Sequence, residues 1–304
     1  MNQIQYAYFP GCSQTGTAVE YDMSVRATAK ALDVELIEIP DWTCCGSSPA
    51  QSADKTLMAA LTARNLRLVE EMGRAGVVTP CPSCLKALKV AGEYMEHDHG
   101  RGLVGKLLDR MPAGAVPSAS ILQVFVEDVG LEEIAKRVVR PLKGLVAAPY
   151  YGCVLTRPKR LMGFDDEEDP QSMDKLLRAL GAQVPDFPFK VECCGASYGV
   201  PRREIVVRQS GRILDMARRV GANAIVTACP LCHQNLDLRQ GQAARSLDTR
   251  FDLPILYVTQ VLGLALGLEY HALGLDKHAV NVRTLVDAVF EAPRPVNEEA
   301  DRCE

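Results

Sequence analysis

The chain has 304 residues, 47% hydrophobic and 24% charged, with a formal net charge of −4. That size and balance suit a soluble protein with room for two domains, and the lack of any Lys/Arg run argues against a nucleic-acid partner. No stretch reaches the roughly 18 consecutive apolar residues of a membrane span, since the longest apolar segment, 253–268, is interrupted by Thr259, Gln260 and glycines.

The amino terminus carries no basic segment followed by an apolar one, so a cytoplasmic location is expected. Residues 6–10 (YAYFP) read as a short buried strand running into Cys12. Residues 19–32 place apolar side chains at three- and four-residue steps, the pattern of an amphipathic helix. VELIEI, 34–39, predicts a second strand leading to the adjacent Cys44 and Cys45. A longer helix over 54–76 precedes the strand GVVTPC, which ends on Cys81, with Cys84 three residues on. EHDHGRG and two helical stretches then lead to a boundary near 141–146.

The order now repeats. LVAAPYY (145–151) predicts a strand into Cys153, MDKLLRAL (173–180) a helix, and FPFKVECCG repeats the cysteine pair as Cys193 and Cys194. A helix over 203–222 and the strand AIVTAC lead to Cys229, with Cys232 in register. The second copy is eight residues longer between its first cysteine and its pair, 39 against 31, and the Gly- and Pro-containing loop RPKRLMGFDDEEDPQS accounts for the excess. Alternating strands and helices predict an α/β fold of two pseudo-symmetric small parallel halves, 1–142 and 143–292, with a polar tail over 293–304. The cysteines then gather at the C-terminal ends of the strands, where open α/β sheets place ligands. Cys303 lies in the tail and receives no role.

Eleven cysteines in a reducing compartment point to metal or redox chemistry rather than structural disulfides. Burial as small hydrophobes accounts for one or two of them, not for a spaced set of ten. Each copy supplies five thiols, whereas a zinc site or an ordinary cubane takes four protein ligands. CxxC alone fits zinc, a redox pair or a cluster; five thiols with an adjacent pair fit a larger cluster better. Gly46 and Gly195 let the chain turn closely after each pair, and Pro82 and Pro230 stiffen each CxxC.

One Cys, then CCG, then CxxC, duplicated, together with FPGC, YYGC, DWTCCG, GFDDEEDPQSMD and ACPLCHQNLDLRQ, resembles the B subunit of heterodisulfide reductase and the wider CCG-domain family over residues 5–270. The resemblance implies a noncubane [4Fe-4S] cluster on Cys12, Cys44, Cys45, Cys81 and Cys84, and a second on Cys153, Cys193, Cys194, Cys229 and Cys232. It implies a disulfide oxidoreductase, cleaving or forming a disulfide between the clusters, with a ferredoxin-like subunit and a flavin-containing subunit as partners. Bacterial and sulfur-oxidising relatives of the family serve other disulfides or carrier-bound thiols, and the 23 Arg against 11 Lys lean toward that branch. The alternatives are a non-catalytic iron–sulfur electron-transfer subunit and a zinc-stabilised scaffold.

His233, directly after Cys232, is the candidate proton donor, with a packing role as the competing reading. Tyr150 and Tyr151 read as core aromatics. Arg157, Lys159 and Arg160 in the inserted loop are candidates for an acidic substrate or, more simply, a solvated face. GRGLVG (100–105) matches a dinucleotide fingerprint but follows the polar EYMEHDH instead of a strand, and is rejected. His97, His99, His271 and His278 have no ligand cluster near them in sequence.

Overall fold

The computed structural model describes residues 4–47, 49–114 and 116–291; the tail 293–304 and Cys303 lie outside the described residues. Short, mostly buried strands form two parallel sheets. β1 (Ile4–Tyr8), β2 (Val34–Glu38), β3 (Val77–Thr79) and β4 (Ser118–Ser120) make a sheet of order β2-β1-β3-β4. β5 (Ala147–Tyr150), β6 (Ala224–Thr227) and β7 (Ile255–Tyr257) make one of order β5-β6-β7. A parallel bridge from Val146 to Gln183 stands where β2 stands in the first sheet, so the halves share one topology.

Side chains alternate between two cores, as parallel strands buried on both faces require. Ala7 and Phe9 enter a lateral core that also contains Cys45, Cys81 and Cys84, while Tyr8 enters a central one. Ile225 joins a matching lateral core with Cys194, Cys229 and Cys232, and its neighbours Ala224 and Val226 join the central core.

The central core is reciprocal. Helix α1 (Val19–Ala31) of the first half packs on the helix that follows β7. The helix that follows β5's long loop, Ser172–Ala179, packs on Leu131–Lys136, which follows β4. The rings of Tyr21 and Tyr257 stack with centroids 3.9 Å apart, and Ser24 Oγ and Thr259 Oγ1 share a buried hydrogen bond of 2.7 Å.

The long helix of the first half, α2 (Lys55–Glu71), starts where the Asp54 carboxylate accepts from the amides of Thr56 and Leu57. Its counterpart in the second half is Arg203–Arg219. Each CxxC opens a further helix, α3 (Pro82–Glu96) and α4 (Pro230–Leu238), with proline in the first turn where no donor is lost.

Residues 118–136 are not a mere joining segment. They form a fourth strand–helix unit matched by 255–265, and Gln123-Val124 takes the place of Gln260-Val261. Residues 100–105 lie at the end of the helix Asp98–Gly105, without a preceding strand. Among the described residues no helix is long and apolar enough to cross a membrane.

Candidate functional site

Strand ends and tight turns bring the ten cysteines into two sets. Cys12 leaves β1 through Gly11 at φ +78°, and Cys153 leaves β5 through Gly152 at φ +72°. A Cβ at either glycine would stand 2.9 Å from the Sγ of the last cysteine of its set, Cys84 or Cys232. Only glycine combines that backbone conformation with that approach to sulfur. Gly46 and Gly195 also have positive φ, but the bodies they approach are helices: an added Cβ would meet Ala50 and Leu61 in one half and Val206 in the other.

Within the first set, Cys45 Sγ lies 3.3 Å from Cys84 Sγ, and Cys44 Sγ lies 4.0 Å from Cys12 Sγ. Within the second, Cys194 and Cys232 are 3.6 Å apart. These separations exceed the roughly 2.05 Å of a disulfide, and all ten thiols are free. Three thiols of each set are buried, and Cys12, Cys44 and Cys193 are exposed.

The thiols share protons unequally. Hydrogen bonds from Cys12 and Cys45, helped by the Gly46 amide, pull Cys44 down to about 2, while that same bond and burial push Cys12 up. A bond from Cys153 pulls Cys193 down to about 6. The bond with Cys232, and then Asn235, lower Cys194. Convergent soft donors with thiolate character among them are what an iron–sulfur group or another thiophilic metal centre requires. Orphaned polar atoms support the same fit: both amide atoms of Gln14, 2% exposed and two residues past Cys12, have no partner among the described residues.

A cavity of about 750 Å³ lies between the halves. All five cysteines of the second set line it, and the first half contributes part of α3, with Ser83, Lys86 and Val90. Among the described residues its charged lining is Lys86 and Arg239, with no carboxylate. Arg239 is held by neutral groups, Asn235 Oδ1, Gln242 Oε1 and the Gly199 carbonyl.

His233 is buried beside this cavity but does not line it. Its ring stacks on Tyr257 with centroids 4.1 Å apart, and its Nε2 lies 3.0 Å from the Ile255 carbonyl and 3.2 Å from His278 Nδ1. Burial, then the neighbouring His278, hold it far below its ordinary pKa. With Asp237 these histidines form the His/Asp group found among the described residues. The Asp237 carboxylate accepts from the amides of Ala279 and Val280 and so ties the C-terminal loop to α4.

Tyr150 and Tyr151 are fully buried, and Tyr151 Oη donates to Asp174. In the inserted loop, Arg157 pairs with Glu168, Lys159 with Asp166 and Arg160 with Glu93. Sequence reasoning missed Gln14, Lys86, Asn235 and Arg239. Their signal was position, within three residues of a cysteine for Gln14, Lys86 and Asn235.

The sequence pattern of the cysteine-rich domain called CCG matches residues 6–89 and 147–237. The 8-methylmenaquinol:fumarate reductase membrane anchor subunit of Wolinella succinogenes is 34% identical over 93% of this chain and 99% of its own length. The B subunit of the ferredoxin/F(420)H(2)-dependent CoB-CoM heterodisulfide reductase of Methanosarcina acetivorans is 28% identical over 93% of this chain and 96% of its own. A solved Helicobacter pylori structure, described as a hypothetical protein, has the same fold with a TM-score of 0.73 at 14% identity. The match covers 93% of this chain and 53% of that one.

Proposed function

The chain belongs to the cysteine-rich CCG-domain family, and on that premise we propose that it is the disulfide-handling subunit of a heterodisulfide-reductase-like redox complex. One observation carries the reading: two five-thiol sets in one register, with a cavity between the halves that reaches the second set. Cys12, Cys44, Cys45, Cys81 and Cys84 would hold one noncubane [4Fe-4S] cluster. Cys153, Cys193, Cys194, Cys229 and Cys232 would hold the other. When bound, such groups supply or accept electrons one at a time.

The net reaction, R–S–S–R′ plus two electrons and two protons giving RSH and R′SH, needs two electrons and so suits two one-electron centres. The chain's own residues bind and orient. Lys86 from one half and Arg239 from the other would attract an anionic substrate into a cavity with no carboxylate among its described lining residues, and Val90 and Leu231 give it apolar surface. Electrons would come from a ferredoxin-like partner and, behind it, a flavin-containing one. A thioredoxin-type dithiol mechanism is disfavoured, because it gives no reason for Cys12 or the adjacent pairs.

A second reading has its own support. The 34% identical relative is named as part of a quinol:fumarate reductase, which favours an electron-transfer subunit with no disulfide turnover of its own. Anaerobic purification followed by iron, acid-labile sulfide and zinc analysis is the first test. About eight irons with matching sulfide support two four-iron groups; zinc alone overturns the redox reading. Stoichiometric thiol release when the reduced protein meets a disulfide then separates enzyme from carrier.

A further inference from the structure

A duplicated site gives each half the same ligands, so any difference between its two centres must come from the groups around them. The register equates Cys84 with Cys232, and therefore Ala87 with Asn235. Asn235 is buried in α4 and its Nδ2 donates to Cys194 Sγ at 3.5 Å. Ala87 has nothing to donate. The first half therefore lacks the amide donor that the second half has.

A buried polar side chain beside the first set does stand without a partner: Gln14 is 2% exposed, and both its amide atoms are unpaired among the described residues. Leaving a buried polar group without a partner is destabilising, and such an exception calls for a group that the protein itself does not supply. Gln14 is in the right place: the point where a Gly11 Cβ would sit is 2.9 Å from Cys84 Sγ and 3.7 Å from Gln14 Oε1, so amide and thiol flank one turn.

We propose that Gln14 and Asn235 are the separate hydrogen-bond donors of the first and second cysteine-held groups. The inference rests on the iron–sulfur reading above and adds how the two centres are made unequal. Each N–H or O–H directed at a sulfur stabilises the extra negative charge of the reduced state, which raises the reduction potential of that centre. Gln14 and Asn235 act on one centre each.

The test is a redox titration of the full-length chain, loaded with iron and sulfide without oxygen and followed by electron paramagnetic resonance. Gln14→Leu is expected to shift one transition to lower potential and leave the other in place, and Asn235→Leu to shift the other. Iron content is measured on each sample first. A wild-type chain without iron overturns the iron–sulfur reading together with this one. Full iron with unmoved potentials, or with Gln14→Leu and Asn235→Leu acting on the same transition, overturns this inference alone. Should Gln14→Leu lose iron from its set, Asn235→Leu decides: an unmoved second transition overturns the inference, and a shift of that transition alone to lower potential supports it.

Discussion

The two halves repeat the same five thiols, strand ends and glycine turns, yet they surround them differently. In the first half Tyr8 Oη donates to Asp22, and Asp22 pairs with Arg26, whose side chain is 39% exposed. In the second, Tyr151 Oη donates to Asp174, and Asp174 pairs with Lys190, both side chains under 10% exposed. The cavity repeats the contrast, since the second set lines it with all five cysteines and the first set with none. On the iron–sulfur reading, ligand positions leave little freedom, because each thiol must reach the same body. The residues one layer out are free to diverge, and there the halves become unequal.

The comparison is broken most completely at the ligands. Cys84→Ser and Cys232→Ser should each remove about half of the bound iron, about four atoms of about eight, and leave the other half's spectrum intact. If either replacement strips all the iron, the two sets are not independent.

The two ion-paired networks should differ in energy next. Lys190→Met leaves Asp174 buried without its cation and should destabilise by about 3–5 kcal/mol. Arg26→Met, in the more exposed network of the first half, should cost about 0.2–1 kcal/mol. Chemical denaturation of both variants checks the ratio, and equal losses would mean that the burial contrast has no energetic consequence.

The contact between halves comes third. Gly274 has φ +64°, and a Cβ there would stand 2.7 Å from the Cα of Glu20 in α1. Gly274→Ala adds backbone strain to a clash that no rotamer relieves, so a loss of about 1–3 kcal/mol is expected. Because the strain falls between the halves, the variant should melt earlier with its iron content unchanged at room temperature.

Much of this was legible in the sequence wherever chemistry restricts residue type. The cysteine register, the paired glycines and the alternating strand–helix order each followed from local pattern. The fourth strand–helix unit did not, because β4 is only three residues of Ser and Ala, and its counterpart β7 sits inside the long apolar segment 253–268, which hides the period. Gln14 reads as a loop residue in GCSQTG and is buried only because the turn at Gly11 folds the segment against Cys84. Tyr21 reads as one more apolar position of α1, and its stack on Tyr257 is a contact between residues 236 positions apart. Arg239 and Lys86 look like solvated helix residues until the facing half closes over them.

Lys86 offers the smallest and most specific test. It stands at the register position of Gln234, so Lys86→Gln makes the first half resemble the second without changing a ligand. The side chain is half-buried, lines the cavity and has no carboxylate beside it there, so its charge is available to a ligand. One such interaction at a partly screened site is worth about 1 kcal/mol, which is roughly fivefold in affinity. If Lys86 selects for negative charge, KM for the dianionic disulfide dithiodiglycolate should rise by about that factor in Lys86→Gln with kcat retained, while KM for the uncharged bis(2-hydroxyethyl) disulfide stays put. Equal changes for both disulfides would assign Lys86 to the shape of the cavity instead. The difference between the halves at this position would then concern packing and not recognition.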